Sequence, residues 1–141
     1  MDTELGGTQL ATKRRSTKAA PRTSFAFTEL ASEDPKSTRR FLERVFGWRF
    51  QSRTMPQGEY LSFEIPGGGQ GGVRATGPTE APSSLSYVRV SDLELARAGV
   101  ENEGGTIVLP RVDVPGMGSF FWFKIPGGPI LACWQDEPPG R

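Results

Sequence analysis

The chain has 141 residues, a formal net charge of +1 and 35% hydrophobic residues, which suits one compact domain and excludes a fibrous or strongly acidic class. It holds no histidine and a single cysteine, Cys133, so an intrachain disulfide is excluded, and so is any site built on the chain's own imidazoles. No apolar run reaches the roughly 18 to 20 residues of a membrane helix, and the N-terminus lacks the apolar core of a secretory signal; a reducing, cytoplasmic setting is expected.

Residues 1–22 carry five Lys/Arg against two Asp/Glu and almost no large apolar side chains, so they read as a disordered basic tail. The rest of the chain carries twelve basic and fourteen acidic residues, which gives no electrostatic case for nucleic acid. Only the tail is a candidate arm for nucleic acid or for an acidic partner.

Ser24 to Ala31 alternates as a first strand. Asp34-Pro35 then opens a helix, with Asp as N-cap and Pro at the first helical position. Phe41, Leu42, Val45 and Phe46 form its apolar stripe, and Gly47 ends it. Trp48 to Arg53, Glu59 to Ile65 and Gly71 to Ala75 read as three further strands. The glycines between the last two resemble a phosphate loop in composition only, because no Lys-Ser/Thr follows and the next element is a strand. A Pro/Ser/Thr-rich linker over 76–84 leads to a fifth strand, Leu85 to Val90. Ser91 or Asp92 caps a shorter helix bearing Leu93, Leu95, Ala96 and Val100, which Gly104-Gly105 stops. Thr106 to Leu109, Ser119 to Lys124 and Pro129 to Gln135 complete the series, and 137–141 is a terminal tail.

The chain repeats itself. Leu61-Ser62-Phe63-Glu64-Ile65-Pro66-Gly67-Gly68 lines up with Phe121-Trp122-Phe123-Lys124-Ile125-Pro126-Gly127-Gly128, and the helix caps Asp34 and Asp92 lie 58 residues apart. Matching order at a nearly constant offset predicts one unit used twice: a strand, a helix and a three-strand meander, over about 24–76 and 84–135, within a domain of 23–136. The fold class is therefore α+β, built from two βαβββ units.

Two such units in one short chain resemble the vicinal oxygen chelate superfamily, the group of glyoxalase I, bleomycin resistance proteins and extradiol dioxygenases. The likeness rests on F-x-F-T-E-L-A-S-E-D-P with R-F-L-E-R-V-F-G-W, on L-P-R-V-D-V-P-G-M-G, and on the closing G-G-P-I-L-A-C-W-Q; it covers about residues 24–135 and is similar to the glyoxalase-like subgroup. The resemblance implies a cup-shaped mixed sheet with helices outside and a small-molecule ligand inside. It also implies a homodimer, with the two units paired within one chain or exchanged between two chains. Metal-dependent members place four His, Gln or Glu ligands in the cup. Counted from the caps and the Gly pairs, those positions fall on Phe27, Gly72, Leu85 and Ala132, none of which can bind a metal. No metal and no cofactor are expected.

Alternation places Phe25, Phe27 and Glu29, Tyr60, Ser62 and Glu64, Gly72 and Arg74, Leu85, Tyr87 and Arg89, Phe120, Trp122 and Lys124, and Ile130, Ala132 and Trp134 on the cup face. Phe27, Tyr87, Trp122 and Trp134 could stack a flat ligand, while Arg74, Arg89 and Glu29 fix a charged group. Equally, the aromatics fill the cup and the charges pair internally, Glu29 with Arg89. The sequence therefore supports a metal-free binder of a small anionic or aromatic compound. The rivals are a lyase or isomerase using Glu29 or Glu64 as base, and an interaction protein acting through its tail. Cys133 alternates onto the helix face and reads as a small buried hydrophobe.

Overall fold

Asp34 caps the first helix as the sequence predicts: its Oδ1 accepts from the Ser37 amide at 3.2 Å, Pro35 follows, and Gly47 closes the helix at φ 71. Asp92 repeats the device, accepting from the Leu95 amide at 3.0 Å. The computed structural model describes residues 23–55 and 58–138. The basic tail and the last three residues lie outside that range.

The elements are β1 (Ser24–Ser32), α1 (Pro35–Phe46), β2 (Arg49–Met55), β3 (Gly58–Glu64), β4 (Gln70–Ala75), β5 (Ser83–Arg89), α2 (Leu93–Asn102), β6 (Thr106–Val114), β7 (Gly118–Lys124) and β8 (Ile130–Asp136). They form one eight-stranded sheet in the order β2-β3-β4-β1-β5-β8-β7-β6. Each unit contributes four strands. Within a unit the strand before the helix pairs in parallel with the last strand, β1 with β4 and β5 with β8. The units join where β1 and β5 pair antiparallel, with Thr28 opposite Ser86, and those two residues are themselves 58 apart. The duplicated sequence thus folds as two copies about a pseudo-twofold at that pair. No described helix is long and apolar enough to cross a membrane.

Hydrophobic burial follows the predicted faces. Leu61, Phe63 and Val73 form one core with Trp48 and Phe50, and Leu93, Phe121 and Cys133 form another with Val100 and Ile107. A third cluster, Ala26, Leu85, Tyr87, Ala132 and Trp134 with Phe27, Phe120 and Trp122, lies on the other face. Phe121 and Ala132 are fully buried, so the repeat's inner strands carry the centre of the fold.

Four details depart from the sequence expectation. Phe25 does not lie with Phe27: a bulge sets Phe25 opposite Val88 and Phe27 opposite Tyr87, which turns Phe25 out to solvent and buries Ala26 instead. Strand β6 runs to Val114, well past Leu109. Pro110 is tolerated because β6 is an edge strand with two register shifts, where a missing N–H leaves no ladder bond unmade. The α1 stripe covers the sheet only loosely, leaving Phe41, Val45 and Phe46 more than half exposed. Periodicity says which side chains share a face, not how closely the sheet approaches them. Trp48 belongs to the helix exit: its amide reaches the Leu42 carbonyl at 3.4 Å and its ring stacks on Phe63.

Candidate functional site

The cup face divides into two half-cups of different chemistry. Near β1, β3, β4 and β5 everything converges on Glu29, whose side chain is 13% exposed. Its Oε1 accepts from Arg74 Nε at 3.1 Å and from the Tyr87 hydroxyl at 3.3 Å, and its Oε2 accepts from the Tyr60 hydroxyl at 3.1 Å. The Tyr87 oxygen in turn accepts from Trp122 Nε1 at 3.0 Å. Arg74 also binds Glu80, with Nη1 to Oε1 at 2.8 Å and Nη2 to Oε2, and its guanidinium stands over the Trp122 ring at 5.7 Å. Glu29 therefore pairs with Arg74; the expected partner, Arg89, instead binds Asp136 at 2.9 Å. The reason is register. Arg74 stands on β4, hydrogen-bonded to β1, with Gly72 opposite Glu29, whereas Arg89 stands opposite Ser24 at the far end of β1.

Burial pushes both phenols up, and the Glu29 charge adds to it, so Tyr60 and Tyr87 remain protonated donors. The hydrogen bond to Glu80, with the two nearby carboxylates, raises Arg74. Glu80 is held down at about 2 by its hydrogen bonds from Arg74 and the Gly77 amide. With both oxygens engaged, Oε1 by two donors and Oε2 by one, Glu29 organises this half-cup.

The second half-cup is open. A cleft of about 640 Å3 runs between the cup faces of β2 and β3 and the ends of β1, β5 and β8, and the β6–β7 turn closes its far side through Gly116 and Met117. Its walls include Phe27, Tyr60, Trp134, Phe50 and Phe63. Its charges are Arg49, Arg53 and Arg89 with Glu64 and Asp136. Asp136 ties two of these together, accepting from Arg89 Nε at 2.9 Å and from Trp134 Nε1 at 2.8 Å, and both bonds hold its carboxyl below the usual range. Arg49 approaches Glu64 only to 3.9 Å, and both are about 70% exposed. Arg53 donates through Nε to Ser62 Oγ at 3.0 Å and has no carboxylate partner among the described residues. Gln70 also faces the cleft, its amide donating to the carbonyl of the bulged Ala26 at 3.3 Å.

The residues singled out from sequence therefore separate. Phe27, Arg89, Trp134 and Glu64 line the cleft, while Glu29, Arg74, Tyr87 and Trp122 form the closed network; Tyr60 belongs to both. The aromatics also pack on one another. Phe27 stacks on Tyr87 at 4.4 Å and meets Trp134 edge-on at 5.6 Å. Sequence reasoning missed Arg49, Gln51 and Arg53. Alternation along β2 would have found them, since they stand opposite the cup residues Glu64, Ser62 and Tyr60. Gln70 and Asp136 extend the alternation of Gly72 and Trp134 by one step at the strand ends, whereas Met117, in the β6–β7 turn, had no such signal.

No protein-family model matches the chain. Among curated proteins, the chain is 24% identical over 113 residues to "Putative glyoxylase CFP32" of Mycobacterium bovis, and equally to that of Mycobacterium tuberculosis; the match covers 76% of this chain and 43% of those proteins. The chain spans under half the length of these relatives. Among solved structures, methylmalonyl-CoA epimerase from Mycobacterium tuberculosis superposes with a TM-score of 0.64 at 14% identity, over 81% of this chain and 88% of that one. A glyoxalase/bleomycin resistance protein/dioxygenase superfamily member from Vibrio splendidus gives 0.61 at 17%, over 84% and 100%. The fold is that of the vicinal oxygen chelate superfamily. A Mn(II)-bound glyoxalase from Novosphingobium aromaticivorans also shares it, with a TM-score of 0.59 at 15% identity over 83% of this chain and 42% of that one.

The four cup positions at which the resemblance would place metal ligands can be tested for fit. Here Phe27, Gly72, Leu85 and Ala132 carry no donor atom, and the described residues hold no group of three or more Cys, Asp or Glu placed for an ion. The ring and hydroxyl of Tyr60 lie over Gly72, in the space a ligand side chain there would need. These residues do not fit a metal ion.

Proposed function

We propose that this protein binds a small anionic molecule with a flat apolar part in the cleft, without a metal. The observation that carries the reading is Arg53: a guanidinium on β2 with no carboxylate partner among the described residues, held through Nε by Ser62 and facing a cleft walled by aromatic rings. Arg89 lies on the same cleft, already oriented by Asp136. A carboxylate or phosphate between these two arginines gains charge-assisted hydrogen bonds, and a planar group covers apolar surface on Phe27 and Trp134. Met55 and Met117 add adaptable thioether surface at the cleft's ends.

A glyoxylase-type reaction, the activity in the name of the curated relatives, needs a free base beside the ligand. The cleft carboxylates do not favour it: Asp136 is engaged by Arg89 and Trp134, and Glu64 is solvated beside Arg49.

The test is titration calorimetry with a panel of aromatic carboxylates, arylphosphates and their neutral amides. Expected are binding of acids over amides and a loss of about tenfold or more in Arg53→Ala, the worth of one charge-assisted hydrogen bond. Equal binding of acids and amides, or an unaffected Arg53→Ala, overturns the reading. Manganese, nickel or zinc added to tag-free protein is expected to leave ligand affinity unchanged.

A further inference from the structure

The linker between the two units puts a carboxylate into the closed half-cup. Glu80 Oε1 accepts from Arg74 Nη1 at 2.8 Å and from the Gly77 amide at 2.9 Å, and Oε2 accepts from Arg74 Nη2. A two-pronged guanidinium and a backbone amide closing on one carboxylate make a complete recognition motif for that group. The fork does not depend on Glu80 for its position. Arg74 Nε is held by Glu29 at 3.1 Å, and the guanidinium stands over Trp122. The Glu80 side chain is 31% exposed, so solvent reaches the seat, and its turn is also fastened by the Glu80 amide on the Gly77 carbonyl at 3.2 Å.

The duplication gives this seat a counterpart. Arg74 corresponds to Trp134, 60 residues on, so the position that holds a tryptophan beside Arg89 in the second unit holds an arginine beside Trp122 in the first. Each half-cup thus sets an arginine near a tryptophan, Arg89 near Trp134 in the cleft and Arg74 near Trp122 here. One is open; the other is plugged by the chain's own side chain.

We propose that Arg74 and the Gly77 amide form a second carboxylate site, separate from the open cleft, which Glu80 occupies as a tethered stand-in for the carboxylate of a small organic acid. A group on a short tether competes at an effective concentration in the millimolar range. An external acid therefore enters the wild-type seat only above that level and enters freely once Glu80 is gone. Entry of an acid would release the linker turn that joins the two units. The proposal does not rest on the cleft reading, because the two sites share no arginine.

The experiment is an acetate titration of 15N-labelled protein, followed at the Arg74 Nε–H, the Gly77 N–H and the Trp122 indole N–H. In Glu80→Ala, saturable shifts are expected, returning the Arg74 signal toward its wild-type position, with an apparent Kd at least tenfold below that of wild type. Adding Arg74→Lys is expected to abolish the response, since an ammonium cannot reproduce the fork. Adding Arg53→Ala is expected to leave it intact. No saturable shift in Glu80→Ala, an equal response in wild type, or persistence without Arg74 overturns the proposal. Should Glu80→Ala lose its folded spectrum, Glu80→Gln keeps the side-chain volume. It is then expected to bind acetate more tightly than wild type, and failure to do so is equally decisive.

Discussion

The Tyr60 ring lies directly over the α-carbon of Gly72, its hydroxyl reaching past the glycine to Glu29. A methyl group added at Gly72 would overlap both the hydroxyl and the ring carbons. Gly72→Ala is therefore expected to cost about 1–3 kcal/mol, the usual penalty of overpacking, read as a melting temperature several degrees lower. In a Tyr60→Ala background the same change should cost much less. An equal cost in both backgrounds would mean that Tyr60 is not what Gly72 accommodates.

Glu29 holds three donors from three other strands, β3, β4 and β5, so its removal should outweigh that of an ordinary surface acid. Glu29→Ala leaves Arg74 with Glu80 alone and strands the buried Tyr87 and half-buried Tyr60 hydroxyls; a loss of about 3 kcal/mol is expected in urea unfolding. Glu29→Gln keeps the shape and should lose less, about 1–2 kcal/mol, because only the charge-assisted part of the bonding goes. A loss below 0.5 kcal/mol in Glu29→Ala, within the range of roughly 0.5 kcal/mol for neutral surface changes, would remove the network from any account of this fold's stability.

Glu80 gives the fold an acid-sensitive tie. Its carboxyl is depressed to about 2 in the folded chain, against an ordinary value near 4.5. A depressed group stabilises above its unfolded value and loses that contribution as pH falls through its folded one. The stability difference between wild type and Glu80→Gln should be constant above about pH 5 and shrink between about pH 4.5 and 2. For a partly exposed pair it should be on the order of 1 kcal/mol at neutral pH. A difference that grows on acidification contradicts the pairing with Arg74.

Cys133 is 5% exposed, packed with Leu93 and Phe121, and burial pushes its thiol up to about 11. Little thiolate exists at pH 8, and none is accessible. Reaction with a chromogenic disulfide reagent at pH 8 should be negligible in the native protein and complete on adding denaturant. Fast native labelling would place Cys133 on an opening segment rather than in the α2 core.

The site was legible only in pieces. Alternation put Phe27, Glu29, Arg74, Tyr87, Trp122 and Trp134 on one face, and the structure keeps them there. It could not say that they divide between a plugged half-cup and an open one. Arg74 finds Glu29 across 45 residues and Arg89 finds Asp136 across 47, and which acid meets which arginine depends on strand order. The bulge at Ala26 is equally silent in the sequence. It reverses the parity of Phe25 with no glycine or proline to mark it.

What the sequence determined by itself was the duplicated βαβββ plan. Periodicity, the Asp caps and the Pro-Gly-Gly turns are local, and the offset of 58 to 60 residues exposes the repeat without coordinates. Tertiary structure alone decided the functional geometry: the β1–β5 pairing that joins the units, the curl that brings Arg53 of β2 to one cleft with Trp134 of β8, and the linker turn that seats Glu80 on Arg74. The physical reason is range. Backbone preference acts over a turn or a strand, whereas charge pairing and cavity shape depend on which distant strands become neighbours when the sheet closes on its core.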